Sequence, residues 1–128
     1  MTETANGQLL AVRVEDADEG PSVVSLTGEL DLSTIPLLEG KLFEQLRSHS
    51  GVVVDLTDLR FIDSSGISLL IRAHRDGDGA GLHTVIAPGS QVERVFRITG
   101  IDRALPLFFD RTEARAALNG AGGSARGS

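Results

Sequence analysis

The sequence has 128 residues, 41% hydrophobic and 23% charged, which suits a single domain whose core needs no crosslinks. It contains no Cys, Trp or Tyr, which excludes disulfides, thiolate nucleophiles, Cys-based metal sites and thiol redox control acting on this chain. The formal net charge of −6 leaves little to gain from neutralising phosphates, so nucleic acid is not expected as a partner.

The charge is uneven: residues 1–31 carry seven acids and one Arg, and residues 90–128 carry six Arg and four acids. Solvated surfaces account for this most simply, and a bipolar field that orients a protein partner is the sharper reading. The opening "MTETANGQ" has no basic region followed by an apolar one, so no signal peptide is read there. No apolar run approaches the roughly 20 residues needed to span a bilayer. With no Cys in use, these features predict a cytoplasmic protein that makes no membrane contact.

In chain order, residues 1–8 are polar and expected to fray. "LLAVRV", Leu9–Val14, and "SVVSLTG", Ser22–Gly28, read as strands, with the acidic turn Glu15–Pro21 making a hairpin of them. A helix follows, capped by Ser33 or Thr34, with Pro36 in its first turn and Ile35, Leu38, Leu42 and Leu46 as its apolar stripe. "GVVVDLTDL", Gly51–Leu59, has the continuous valine run of a central strand covered on both faces. Ser64–Arg75 reads as a second helix with Ile67, Leu70 and Ile71 on one face and Leu69 to the side. The loop Asp76–Gly81 leads to a strand at Leu82–Pro88. A third helix is capped by Ser90 and ended by Gly100. A short extended piece, "ALPLFFD", precedes a last helix, "RTEARAAL". Residues 119–128 are rich in Gly, Ser and Ala and read as a flexible tail.

This alternation predicts an α/β fold for residues 9–118: a single-layer mixed, mainly parallel sheet of about 4–5 strands packed with about 4 helices. Sites in such sheets lie at the carboxyl ends of strands. The loops Gly28–Ser33 and Asp58–Ser65 are expected there.

Several enzyme signatures fail. "DGDGAG" imitates a calcium loop at Asp76 and Asp78, but Ala80 and Ala87 occupy ligand positions. Gly77, Gly79 and Gly81 follow a helix and precede a strand, the reverse of a dinucleotide loop. Asp55 and Asp58 read as a solvated turn with Asx-type hydrogen bonds. His49, His74 and His83 lie beside no plausible nucleophile in sequence, and there is no Gly-x-Ser-x-Gly elbow or P-loop. Neither a metal nor a cofactor is expected.

What remains is Asp63-Ser64-Ser65-Gly66, between an apolar pair, Phe61-Ile62, and a helix. Capping needs only one of the polar residues, and Asp63 or a serine does it well, with a cap the plain reading of Ser64; Gly66 permits close approach or an unusual dihedral. A serine at a helix N-terminus faces free amides and the positive end of the dipole, so a phosphate there is held without unfolding. A phosphoserine adds about −1.5 to −2 charges beside Asp63 and, across the neighbouring loop, Asp31. Such a modification alters binding more than folding. These residues alone do not choose between Ser64 and Ser65.

"SLTGELDLST", "VVVDLTDLRFIDSSGISLLIRAH" and "PGSQVERVFRITGIDRALPLF", in this order and spacing, resemble the STAS domain, and more narrowly the single-domain bacterial anti-sigma factor antagonists. The resemblance spans about Leu9 to Leu118. It implies a protein that is not an enzyme, but binds an anti-sigma factor serine kinase and thereby frees a sigma factor. Phosphorylation releases it, and a serine phosphatase resets it. The resemblance makes Ser65 the phosphoacceptor, Asp63 and Asp31 site acids, and ATP the kinase's cofactor. Asp31 reads equally as a capping acid. Glu29, beside it, reads as solvated. Gly28 with Thr27 reads as the strand-to-loop turn. Ser33 and Thr34 read as caps at the same surface. An interaction subunit of the same family that is never phosphorylated, a scaffold or transport accessory, is the alternative.

Overall fold

A computed structural model describes residues 2–4, 10–15, 20–76 and 81–118. The strands are β1 (Thr2–Thr4), β2 (Leu10–Glu15), β3 (Ser22–Leu30), β4 (Val52–Ile62), β5 (Leu82–Val85) and β6 (Leu107–Phe108). The helices are α1 (Ile35–Ser48), α2 (Ser64–Asp76), α3 (Gln91–Thr99) and α4 (Arg111–Leu118), with a 3-10 turn at Ile101–Arg103 that the sequence pattern did not predict. Residues 16–19 of the expected acidic turn, residues 77–80 of the loop after α2, and the tail from 119 lie outside the described residues, as does residue 9.

The six strands form one sheet in sequential order. β1, β2 and β3 pair antiparallel, and β3, β4, β5 and β6 run parallel. β1 falls within the segment expected to fray, and it adds one strand to the expected sheet. Each crossover β3-α1-β4, β4-α2-β5 and β5-α3-β6 places its helix on the same face of the sheet, as connections of one hand require. Val52 and Val54 join the large core under these three helices, together with Leu26, Leu38, Leu42, Leu70 and Phe96. Val53, pointing the other way, joins Val23, Val85, Phe108, Ala114 and Ala117 beneath α4. The unbroken valine run thus serves two cores by alternation.

Within α2, Leu69 is fully in the core and Ile71 only packs against its margin, the reverse of the expected arrangement. α3 ends as predicted: the Ser90 hydroxyl accepts from the Glu93 amide at 3.1 Å, and Gly100 takes the left-handed conformation, φ 81°. The Glu93 carboxylate accepts from the Gly89 amide at 2.6 Å and from Arg97 at 2.8 Å, and these contacts hold it below the usual carboxylate range.

Strands β3 and β4 run further than the sequence suggested. Between the pairs Ser25↔Asp55 and Thr27↔Asp58, and again between Gly28↔Leu59 and Glu29↔Phe61, β4 carries an extra residue. Gly28 has φ 112° at the second of these bulges. Gly28 is therefore a buried strand residue, not a turn, and Asp58–Ile62 belong to a strand, not a loop. Polar and glycine residues broke the apolar pattern, yet pairing continues through them.

Asp55 also differs from expectation. It accepts the Thr57 amide at 2.9 Å, an Asx-type bond as foreseen, but it is buried. The Arg111 guanidinium donates to Asp55 at 2.6 Å, to Ser25 at 2.7 Å and to Glu15 at 3.2 Å. One arginine at the start of α4 thus ties together β2, β3 and β4, and these carboxylates raise its pKa above the ordinary value although burial opposes them. His83 lies against α4, its Nδ1 3.3 Å from the Ala114 carbonyl and its ring stacked on Phe108.

Candidate functional site

Leu30 and Ile62 are paired at the carboxyl ends of β3 and β4, so the next residues, Asp31 and Asp63, emerge from adjacent strands. The Asp63 amide donates to the Leu30 carbonyl at 3.1 Å and stitches the two turns together.

Each carboxylate then accepts the amides two and three residues further along the chain. Asp63 Oδ1 accepts from the Ser65 amide at 2.9 Å and the Gly66 amide at 3.1 Å. These are the second and third amides of α2, the donors an N-cap satisfies. Asp31 Oδ1 accepts from the Ser33 amide at 3.0 Å and the Thr34 amide at 3.2 Å, and its carbonyl accepts from Ile35. Asp31-Leu32-Ser33-Thr34 and Asp63-Ser64-Ser65-Gly66 thus share one carboxylate-to-amide turn, side by side; the second caps α2, whereas the first closes the turn that precedes α1.

Capping by Asp63 corrects the expectation that Ser64 does it. Ser64 is exposed, Ser65 is half-buried, and neither hydroxyl makes a hydrogen bond among the described residues. It also corrects the idea of free amides awaiting a phosphate. The amides of Ser65 and Gly66 are already taken by the Asp63 carboxylate, so a phosphate on Ser65 meets that charge with little backbone compensation.

The serine in the partner turn is different. The Ser33 hydroxyl donates to Asp31 at 2.8 Å. This bond, with the Thr34 and Ser33 amides, holds the Asp31 carboxyl below its ordinary 3.8 despite some desolvation. Thr34 occupies the position before α1 but its side chain caps nothing. It is buried, donates to the Glu29 carbonyl at 3.0 Å and accepts the Asp31 amide at 3.0 Å. Its role is to fasten the turn, and it does not line the surface.

Gly66 is explained by space and not by dihedral. A Cβ there lies 2.9 Å from side-chain atoms of Ile62 and Leu30. Only glycine lets the first turn of α2 settle against the ends of both strands. Glu29 is half-exposed on β3, with Arg60 at 3.9 Å, a loose surface pair.

Reading by sequence missed one residue here. Leu32, between Asp31 and Ser33, is 73% exposed, the side chain of a leucine held out in a pinned turn. The signal was an apolar residue inside the polar run "DLST", which helical periodicity does not assign to the core.

The arrangement offers a serine hydroxyl, that of Ser65, with no bond among the described residues, in the turn capped by Asp63 and beside the turn of Asp31. No helix among the described residues is long and apolar enough to cross a membrane.

The family model for the STAS domain matches residues 12–114. The chain is 29% identical over 112 residues to the anti-sigma-F factor antagonist RsfB of Mycobacterium tuberculosis, covering 87% of this chain and 91% of that protein. Its structure is similar to the crystal structure of an anti-sigma factor antagonist from Mycobacterium paratuberculosis, with TM-score 0.78 and 29% identity over 91% of this chain and 99% of the other. It shares its fold with the phosphorylated form of the Bacillus cell fate determinant SpoIIAA, with TM-score 0.57 and 23% identity over 79% of this chain and 94% of that one. By its paired turns, its mixed sheet and this match over most of its length, the chain belongs to the STAS domain family.

Proposed function

We propose that this protein is a cytoplasmic anti-sigma factor antagonist. It binds an anti-sigma factor serine kinase through the surface around Ser65 and so frees the sigma factor. Phosphorylation of Ser65 switches it off, and a serine phosphatase switches it on again. The observation that carries this reading is that Asp63, and neither serine, caps α2. The Ser65 hydroxyl is left without a structural task, at the carboxyl end of the central strands, in a chain similar over most of its length to proteins named anti-sigma factor antagonists.

In the modification, the Ser65 oxygen attacks the γ-phosphorus of ATP held by the kinase. The oxygen–phosphorus bond forms as the bond to the ADP oxygen breaks, and the hydroxyl proton passes to a base of the kinase. On the phosphatase, water attacks the phosphorus, the bond to the Ser65 oxygen breaks, and the serine hydroxyl is restored with release of inorganic phosphate. The protein itself supplies no catalytic group and no cofactor, and its negative charge suits neither nucleic acid nor an anionic membrane surface. Ser65 is favoured over Ser33, whose hydroxyl is held by Asp31.

Pushing a phosphate into an interface beside acids costs several kcal/mol unless a basic partner pairs it, and each 1.4 kcal/mol is about tenfold in affinity. The test is intact mass after incubation with ATP and each anti-sigma factor kinase of the source genome. Wild type and Ser64→Ala gain one phosphate, and Ser65→Ala gains none. Tight binding without any gain refutes the switch and leaves a STAS interaction subunit that is not phosphorylated.

A further inference from the structure

Among the described residues, the large apolar side chains left exposed at the sheet's carboxyl end are Leu32, Phe61 and Phe109, and Leu32 is the most exposed of them. Leu32 is 73% exposed. A lone exposed leucine is ordinary on a protein surface. This one differs in how it is held. The residue before it, Asp31, is fixed by its carboxylate to the Ser33 and Thr34 amides and by its carbonyl to the amides of Thr34 and Ile35. Thr34 is buried and fastened back to Glu29. The backbone on both sides of Leu32 is thus fixed, and the side chain is presented at no cost in loop ordering. Its turn is stitched to the one that holds Ser65 through the Asp63-to-Leu30 bond.

We propose that Leu32 is the apolar anchor of the kinase-binding surface, filling an apolar pocket on the anti-sigma factor kinase. This rests on the function proposed above. The occupant follows from the stitched turns: a kinase that modifies Ser65 must cover the adjoining turn, so Leu32 is desolvated in that complex. Because the backbone around Leu32 is already fixed, little ordering cost is set against that burial.

The experiment uses the full chain and the anti-sigma factor kinase found by the mass assay. Dissociation constants are measured for wild type, Leu32→Ala and Ile98→Ala. Ile98 is as exposed, at 76%, but lies on α3, and serves as the control. Burying a leucine predicts that Leu32→Ala binds about tenfold to a hundredfold more weakly. Its KM for phosphorylation rises to match, with kcat and thermal midpoint unchanged. Ile98→Ala behaves as wild type. If wild type is phosphorylated and Leu32→Ala binds within twofold of it, or Ile98→Ala loses as much, this inference is overturned alone. A wild type that neither binds nor is phosphorylated by any such kinase overturns the function and this inference together.

Discussion

Replacing Asp63 separates capping from charge at the centre of the site. In the native protein its Oδ1 accepts two amide hydrogens, from Ser65 and Gly66, at 2.9 and 3.1 Å. Asp63→Ala leaves both donors without a partner at the start of a helix whose Ile67, Leu69, Leu70 and Ala73 lie in the core. Loss of an N-cap costs about 0.5–2 kcal/mol, and because two donors are affected the upper half of that range is expected. At about 3–5 °C per kcal/mol for a chain of this size, the melting midpoint falls by several degrees. Asp63→Asn keeps the acceptor and removes the charge. It loses only the dipole contribution, about 0.3–1 kcal/mol. Ser64→Ala and Ser65→Ala, whose hydroxyls bond to nothing described, stay within about 0.5 kcal/mol of wild type. Urea unfolding followed by far-ultraviolet circular dichroism reads all four. A Ser64→Ala loss larger than that of Asp63→Ala would refute the assignment of the cap, and equal losses for Asn and Ala would show that charge, not hydrogen bonding, stabilises this turn.

Three further outcomes are expected. Gly66→Ala forces a Cβ to 2.9 Å from Ile62 and Leu30, and such overpacking destabilises by about 1–3 kcal/mol in the same unfolding assay. Arg111→Met strands the buried Asp55 carboxylate and loosens α4 from three strands. A loss of about 2–4 kcal/mol is expected, below that of a wholly buried pair because Arg111 is partly exposed, and Asp55→Asn in the same chain recovers part of it. The depressed Asp31 carboxyl makes a contribution that is fully present above its ordinary 3.8 and is lost as pH falls through the lower folded value. The stability gap between wild type and Asp31→Asn therefore narrows below about pH 4, and a gap independent of pH down to 2 contradicts the hydrogen bonding assigned to Asp31.

The alternation of strands and helices was legible because it is written in local signals. Val52–Val54, the Ser90 cap, the Gly100 terminator and the whole of Arg111–Leu118 were read correctly from neighbours alone. The misreadings of the strand ends and of Asp55 share one physical cause, which is dependence on residues distant in sequence. The ends of β3 and β4 were placed early because Gly28 and Asp58–Arg60 look like breakers, whereas the partner strand and its bulges decide where pairing stops. Asp55 looked solvated because its cation, Arg111, lies 56 residues away. Leu69 and Ile71 exchanged roles because helical spacing fixes a face only to within a residue or so. At the site, "DSSG" marked the place, but three polar residues compete to cap one helix, and hydrogen-bond geometry was needed to choose Asp63. The side-by-side likeness of "DLST" and "DSSG" becomes visible only when the register sets Leu30 opposite Ile62.

That register depends on the two extra residues of β4. Nine residues of β3 are matched by eleven of β4, and the surplus is absorbed in the bulges. Length within Asp55–Phe61 is therefore not free to vary as it is in a surface loop. Removing one residue moves the start of α2 by about one strand step, roughly 3.3 Å, and reverses which side chains face inward beyond that point. Asp63 then no longer reaches Leu30, and Gly66 no longer meets Ile62 and Leu30. Lengthening the connection between α1 and β4, at His49–Ser50, leaves all of this untouched. Evolutionary change in chain length should thus accumulate before β4 and be excluded within it, so the spacing from the valine run to Ser65 acts as a ruler for the site.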